Sequence, residues 1–253
     1  MDTLLPLAEP GHEAPLRRTD AFSYACKGCG GCCRNKRIAV TPYEVWRLSR
    51  ACGIDTGEVL ARHVEPDAPY LRVDEAGECV FLREGRCSVH RDRPLVCRLY
   101  PLGRQREENG DETFWRLEPR PGSPGVYGTD TTVADYLAQQ DVDELLNVVD
   151  RYQALYYHLF ELLRQLAPTD VPPAAHASFA EDQDARPTDG ASRAAAPGAA
   201  VFHEWFDVDR LVGAFCERTG RPLPTAPRDW LDAHIDAIDA WLDAQGLGRG
   251  GLT

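Results

Sequence analysis

Four thiols fall within eight residues in the stretch CKGCGGCC (residues 26–33), and glycine fills most of the gaps. Crowding of this kind has three chemical readings: a disulfide staple, a redox-active dithiol, or a metal site. Its spacing, C-x2-C-x2-C-C, favours the third. A two-residue spacer lets a tight turn aim two sulfurs at one centre. Gly28, Gly30 and Gly31 permit unusual backbone angles and let peptide N–H groups approach sulfur closely. Thiolates set side by side repel unless a cation or cluster holds them, and Lys27, Arg34, Lys36 and Arg37 add positive charge nearby.

Eight of the nine cysteines lie between Cys26 and Cys97. Seven are candidate metal ligands: Cys26, Cys29, Cys32, Cys33, Cys79, Cys87 and Cys97. Cys52, at the end of a predicted helix, reads first as a small buried residue, as does Cys216 beside Phe215. His90, between Cys87 and Cys97, is a candidate replacement ligand. The metal stays open. C-x2-C-x2-C matches the first three ligands of a bacterial [4Fe–4S] site, which leans the reading towards iron–sulfur, while zinc held by four cysteines fits the ligand type equally well. A redox dithiol needs one C-x2-C at a helix start in a βαβ setting, and that context is absent.

Composition narrows the rest. The chain begins MDTLLPLAEPGHEAPLRR, without a basic start or a long apolar run, so no secretory signal is expected. No stretch approaches the roughly 20 apolar residues that span a bilayer. The expected location is cytoplasmic, where thiols stay reduced and a disulfide framework is disfavoured. Net charge is −12 and the pI about 5.0, a poor basis for binding nucleic acid. Charge is unevenly placed: residues 17–120 carry 19 Arg/Lys against 16 Asp/Glu, whereas residues 121–253 carry 9 against 21. Lys27 and Lys36 are the only lysines in the chain, which leaves lysine-based covalent chemistry almost no candidates. No P-loop, dinucleotide-binding glycine loop, H-E-x-x-H or nucleophile elbow is present. Nor is there the βαβ alternation of a Rossmann-type methyltransferase.

Residues 1–20 read as a flexible tail and 21–130 as the cysteine-cluster domain. Within it KRIAV (36–40) reads as a strand. TPYE opens a helix with Thr41 as N-cap, Pro42 at the first helical position and Glu44 closing a capping box; that helix stops near Gly53, and Asp55 caps another. YLRV and ECVFL, joined by DEAG, suggest a hairpin, and TFWRLEP (113–119) a further strand. Residues 131–167 hold a long helix with Asp141 as cap and Glu144 in its first turn. Leu145, Val149, Tyr152, Tyr156, Leu159, Leu163 and Leu166 form its seam, read as packing on the rest of the chain. Residues 168–200, rich in Pro, Ala, Asp and Ser, read as a disordered linker. Residues 201–253 form two amphipathic helices, with Val208, Leu211, Val212 and Phe215 on one and Leu231, Ile235, Ile238, Trp241 and Leu242 on the other. These helices are the expected surface for any protein partner. The expected fold is α+β, mainly helical, with a small irregular metal-stapled module followed by C-terminal helices.

CKGCGGCC, then Cys79-Val80-Phe81-Leu82, then CSVHRDRPLVCRLYP (87–101) together resemble the bacterial CxxCxxCC cysteine-cluster family. The match includes Arg93-Pro94, Cys97-Arg98 and Tyr100-Pro101. His90 stands where such proteins commonly carry Tyr, and Ser123 where some relatives carry a further Cys. The resemblance implies chelation of zinc or iron. Some members are linked to flagellin lysine N-methylation, which implies a methyl-transfer role. The expected function is therefore metal binding through a cysteine-ligated iron–sulfur or zinc centre. If that centre does chemistry, the chain is an iron–sulfur-associated oxidoreductase or a protein lysine N-methyltransferase. The alternative is structural zinc in an interaction module without catalysis.

Overall fold

A computed structural model describes residues 14–66, 68–107, 109–118, 124–166 and 204–246; for 156–166 it describes the helical backbone alone. The expected linker, Ser123, most of the expected tail and the side chains of Tyr156, Leu159, Leu163 and Leu166 lie outside the described residues. The elements are β1 (Ala21–Ala25), α1 (Pro42–Cys52), α2 (Thr56–His63), β2 (Leu82–Arg83), β3 (Arg86–Cys87), α3 (Leu95–Leu99), β4 (Leu102–Arg106), β5 (Glu112–Arg116), β6 (Val126–Thr132), α4 (Val133–Gln139), α5 (Asp143–Leu166), α6 (Val208–Thr219) and α7 (Pro227–Ala244). The fold is α+β: the strands pair into two-stranded antiparallel sheets β1–β6, β2–β3 and β4–β5, and helices supply most of the rest.

Local chemistry explains the helix ends. The Glu44 N–H donates to Thr41 Oγ1 at 3.3 Å while the Glu44 carboxylate accepts the Thr41 N–H at 2.7 Å, a complete capping box. Gly53 and Gly220 end α1 and α6 in the left-handed region, where the missing Cβ removes the steric penalty. Other local readings are revised. KRIAV forms no strand; Ala39 makes a single bridge to Tyr70. Asp141 does not cap α5. It sits at φ 53° in the kink after α4, and the Val142 carbonyl accepts the first turn's Leu146 N–H at 2.8 Å. The DEAG turn closes only a Val73–Cys79 bridge, and the regular hairpin is β2–β3, turning at Glu84-Gly85.

β1 and β6 join segments about a hundred residues apart in register Ser23↔Gly128, Tyr24↔Tyr127 and Ala25↔Val126. This closes the cysteine-bearing region on itself. Leu16 exchanges backbone hydrogen bonds with Phe114 at 2.6 and 2.9 Å, so the expected tail has already joined β5 by this point.

Two apolar cores result. The larger gathers Phe22, Tyr43, Leu99 and Phe114 with α4 and α5 (Leu137, Leu145, Tyr152, Leu155) and with Val212, Phe215, Ile235, Ile238 and Leu242 of the C-terminal helices. Each fully buried side chain of this size contributes roughly 1.5–3 kcal/mol. The apolar faces of α6 and α7 are thus spent on the chain's own core. Polar clasps fasten them there. Thr56 at the start of α2 donates its hydroxyl to Asp207 at 2.7 Å and accepts the Asp209 N–H at 3.0 Å, while Arg50 pairs with Asp209. On α7, Asp232 pairs with Arg151 of α5 at 2.6 Å. The smaller core holds Ile38, Val45, Leu48, Val59, Leu60, Leu71 and Phe81, and it is here that the cysteines pack.

Candidate metal centre

Backbone pairing brings the thiols together. The chain leaves β1 and turns at Gly28 and Gly30, both left-handed with φ of 63° and 69°. Gly30 is also wedged under the β2–β3 turn, where a Cβ would come within 2.8 Å of the Gly85 carbonyl oxygen, so both torsion and space demand glycine. A single 3-10 turn, Gly31–Cys33, follows, and the Cys33 N–H donates to the Gly30 carbonyl at 3.0 Å. The chain then runs against residues 77–79: the Cys79 N–H donates to the Cys33 carbonyl at 2.8 Å and the Asn35 N–H to the Gly77 carbonyl at 2.7 Å. Arg34 and Glu78 pair across this junction at 2.8 Å. Cys33 is thereby held beside Cys79. The Leu82 N–H donates back to the Cys79 carbonyl at 2.8 Å, and Leu82 faces Cys87 across the hairpin.

Cys97 arrives on α3. The first turn of that helix is anchored by the buried Glu44 carboxylate, which accepts the Leu95 N–H at 2.6 Å as well as the Thr41 hydroxyl at 3.0 Å. Burial raises the Glu44 pKa above the usual carboxylate range, opposed by these donors. The capping box was legible in the sequence; its second duty, tying α1 to the cysteine-bearing α3, was not.

Cys32, Cys33, Cys79, Cys87 and Cys97 act on one another electrostatically. A hydrogen bond from the Cys33 thiol lowers Cys32 to about 6, with Lys36 and Arg93 assisting against the cost of burial. The same bond raises Cys33. Burial raises Cys97, Cys79 and Cys87, and neighbouring thiols push Cys97 further up while Lys36 opposes. Lys36 is itself buried, with Nζ 5.0 Å from the centre of the Tyr100 ring. Burial thus works against the charged form at Cys79, Cys87 and Cys97, whereas Cys32 is shifted towards it. Among the described residues no three Cys, His, Asp or Glu side chains are gathered as a finished metal-holding set.

Cys26 and Cys29 are exposed on the rim of the same loop. Each sulfur accepts a backbone N–H from two residues on, Gly28 to Cys26 and Gly31 to Cys29, both at 3.4 Å. A Cβ at Gly31 would sit 3.3 Å from the Cys29 sulfur, tighter than ordinary contact. The donor set fits a thiophilic metal: soft sulfurs, peptide N–H groups aimed at two of them, and cations against the inner ones.

The remaining candidates separate cleanly. Cys216 is buried, 3.6 Å from the Pro222 carbonyl oxygen. Cys52 is exposed at the end of α1 rather than buried, because Gly53 turns the chain away before that face is covered. His90 is exposed, and its Nδ1 lies 3.4 Å from Arg93 Nη1. Arg98 is buried and donates to the carbonyls of Arg93 at 3.1 Å, Gln140 at 2.9 Å and Arg91. Arg93 donates to the His90 carbonyl at 2.6 Å and to Gln140 Oε1 at 2.8 Å. Both arginines hold the local loops through carbonyl and amide oxygens. No helix among the described residues is long and apolar enough to cross a membrane.

Residues 25–115 match the family model "CxxCxxCC: Putative zinc- or iron-chelating domain". The chain is 31% identical over 90 residues to "Uncharacterized protein MJ0661" of Methanocaldococcus jannaschii, an alignment that covers 34% of this chain and 48% of that relative. The chain thus spans about half the length of this curated relative. No solved structure matches. The segment in which backbone pairing gathers the thiols, residues 25–115, is thus the part of the chain that is similar to the CxxCxxCC domain.

Proposed function

We propose that this chain binds a cysteine-ligated metal centre whose thiolates are drawn from Cys26, Cys29, Cys32, Cys33, Cys79, Cys87 and Cys97, with Cys26 and Cys29 at its solvent edge. The observation that carries this reading is the convergence of Cys33, Cys79, Cys87 and Cys97 on the smaller core, with the Cys79 N–H donating to the Cys33 carbonyl at 2.8 Å. Seven soft donors exceed the four that a tetrahedral ion or a cubane cluster needs. We favour an iron–sulfur cluster because of the triple C-x2-C-x2-C spacing. Bound there, it would supply one-electron chemistry. Structural zinc is the second reading, favoured by the modest core and two-residue strands around the thiols, which leave room for a staple. Nothing in the geometry adds support for methyl transfer.

Anaerobic purification followed by metal and sulfide analysis separates these readings. Iron with acid-labile sulfide and broad visible absorbance supports the first; colourless protein with zinc supports the second. Cys97→Ser is expected to lose at least 90% of the bound metal, and Cys216→Ser to keep all of it. Equal retention in the two variants would remove the ligand assignment.

A further inference from the structure

The β2–β3 hairpin turns through two residues, Glu84 and Gly85, both at positive φ (51° and 74°). A turn of this kind matches the twist of the strands and fixes their register. Leu82 is set opposite Cys87, and Arg83 opposite Arg86. Successive side chains alternate between the two faces of a strand. Leu82 is buried and Cys87 half-buried on one face, and Arg83 and Arg86 are exposed on the other. Like charges directly opposite each other weaken a hairpin. No carboxylate relieves this pair: among the described residues neither arginine has an ion pair, although Glu84 lies between them, and Arg83 donates only to the Leu82 carbonyl at 3.4 Å. Elsewhere surface arginines of this acidic chain find a carboxylate, as Arg34 does in Glu78, Arg62 in Glu58 and Arg221 in Asp236. Lys27 adds a third exposed cation without an ion pair among the described residues. Its Cα lies no more than about 11 Å from that of Gly30, which packs under the Gly85 carbonyl at the hairpin turn.

We propose that the outer face of this hairpin, with Lys27 beside it, docks an acidic segment of a partner protein, whose Asp or Glu carboxylates lie between the Arg83 and Arg86 forks. This goes beyond the metal-binding function and uses none of the sulfur donors. Opposed strand residues stand about 5.5 Å apart at their Cα atoms, so the two planar forks can hold a carboxylate from both sides. A bound carboxylate turns the cross-strand repulsion into two charge-assisted contacts. The patch is small, Glu84 marks one end of it, and the chain around it is acidic, with a net charge of −12. A nucleic-acid backbone, with one charge per ~1.7 Å of duplex, would run off these three cations onto repelling ground. A short acidic peptide ends where the patch ends. Cys87 follows Arg86 directly, so a partner seated here stands next to the candidate metal centre.

The test uses the full-length chain as purified and a fluorescein-labelled, acetylated peptide of eight glutamates, with binding read by fluorescence anisotropy at low ionic strength. Arg83→Ala/Arg86→Ala is expected to bind the peptide roughly tenfold more weakly than the unsubstituted chain. Arg83→Lys/Arg86→Lys should recover part of that loss, because ammonium groups keep the charge without the fork. Arg228→Ala removes an exposed cation from α7 and should bind within about twofold of the unsubstituted chain. Equal weakening by the Arg228 and hairpin variants would reduce the effect to net charge and overturn the proposal, as would a lack of saturable peptide binding to the unsubstituted chain. A single-stranded oligonucleotide of equal charge that binds as tightly as the peptide would make this a phosphate surface, and the acidic-peptide assignment would fall. A second measurement needs no variant. Lys27 and Lys36 are the only lysines, and Lys36 is buried. Carbodiimide coupling, read by mass spectrometry, should therefore join a peptide carboxylate to Lys27. Coupling absent from Lys27 while the peptide binds would overturn the docking surface.

Discussion

The two cores are built on opposite principles. The larger is assembled by long helices, and its members are nearly all apolar, from Leu137 and Leu155 to Ile238 and Leu242. The smaller is wrapped by short helices, two-residue strands and isolated bridges, and partly exposed thiols complete it. Helical periodicity lets one core close by area alone, whereas the other leaves its edge to groups that gain most by coordinating something. The difference predicts that a bound metal stabilises one side far more than the other.

Metal removal should therefore give the largest effect. Structural zinc sites stabilise small modules on the order of 10 kcal/mol. Adding a chelator to metal-loaded protein is expected to release the amides of Cys33, Cys79 and Leu82 to rapid hydrogen exchange. Amides in α5 and α7 should stay protected. Simultaneous loss on both sides would show that the two cores melt as one, and the contrast drawn here would fall.

On the helical side the most demanding polar contact is Arg104. Its guanidinium is nearly buried and spans Glu112 at 2.6 Å and both oxygens of Asp150 at 3.1 and 3.2 Å, fastening β4 and β5 onto α5. Burial alone would raise Glu112, but donors from Arg18 and Arg104 outweigh it and hold the carboxyl below its ordinary range. Arg104→Met leaves Glu112 to Arg18 and Asp150 to Arg106, so the loss should fall below the roughly 3–5 kcal/mol of a fully broken buried pair. Arg104→Lys should recover little, because a single ammonium cannot reproduce the fork. Urea unfolding measures both, and bound metal should be unchanged in each.

A pH-dependent contribution comes from His234. It is fully buried, with Nε2 2.8 Å from the Trp205 carbonyl and Nδ1 2.8 Å from the Tyr152 hydroxyl. The carbonyl can only accept, so Nε2 carries the proton and Nδ1 accepts from Tyr152. Burial lowers the folded pKa to about 4. The unfolded chain takes up a proton near pH 6.5 and the folded chain does not. Stability from this group is therefore complete above 6.5 and falls as pH drops towards 4, by about 3 kcal/mol in all. His234→Gln starts lower at pH 7, but its stability should decline less between pH 6.5 and 4.5. Parallel curves for the two proteins would dismiss this account.

What the sequence disclosed follows the range of each interaction. Thr41, Pro42 and Glu44 satisfy one another within four residues, so the start of α1 was legible, as were Asp55 and the glycine stops at 53 and 220. The faces of α6 and α7 were legible because their apolar residues repeat every three or four positions. The β1–β6 pairing was not, since Tyr24 meets Tyr127 across a hundred residues and neither strand carries a strong alternation of its own. The thiols were recognisable as a set from spacing. Their division into five inner and two outer was not, because it depends on the Cys33–Cys79 backbone contact and the burial of Gly30, which are settled only when distant segments dock. His234 gave no signal because one isolated histidine has no period.

Glu44 lies on the seam between the two cores, and its substitution should give the smallest effect with the most specific signature. Glu44→Gln keeps one oxygen to share between the Thr41 and Leu95 amides and exchanges charged hydrogen bonds for neutral ones, a loss of about 1 kcal/mol. The size of that loss should depend on pH. A carboxyl raised by burial contributes fully below its unfolded pKa, and the contribution disappears as pH climbs through the folded value. The unsubstituted chain thus bears the cost of a buried anion at neutral pH, and the Gln variant never does. The stability gap between them is expected to be wider near pH 4 than near pH 7. Because the same carboxylate anchors the helix bearing Cys97, the variant should also bind metal severalfold more weakly while α5 and α7 keep their exchange protection. A gap that widens with rising pH would mean that Glu44 is held as a fully compensated anion, and the seam between the cores would then be electrostatic rather than a matter of capping.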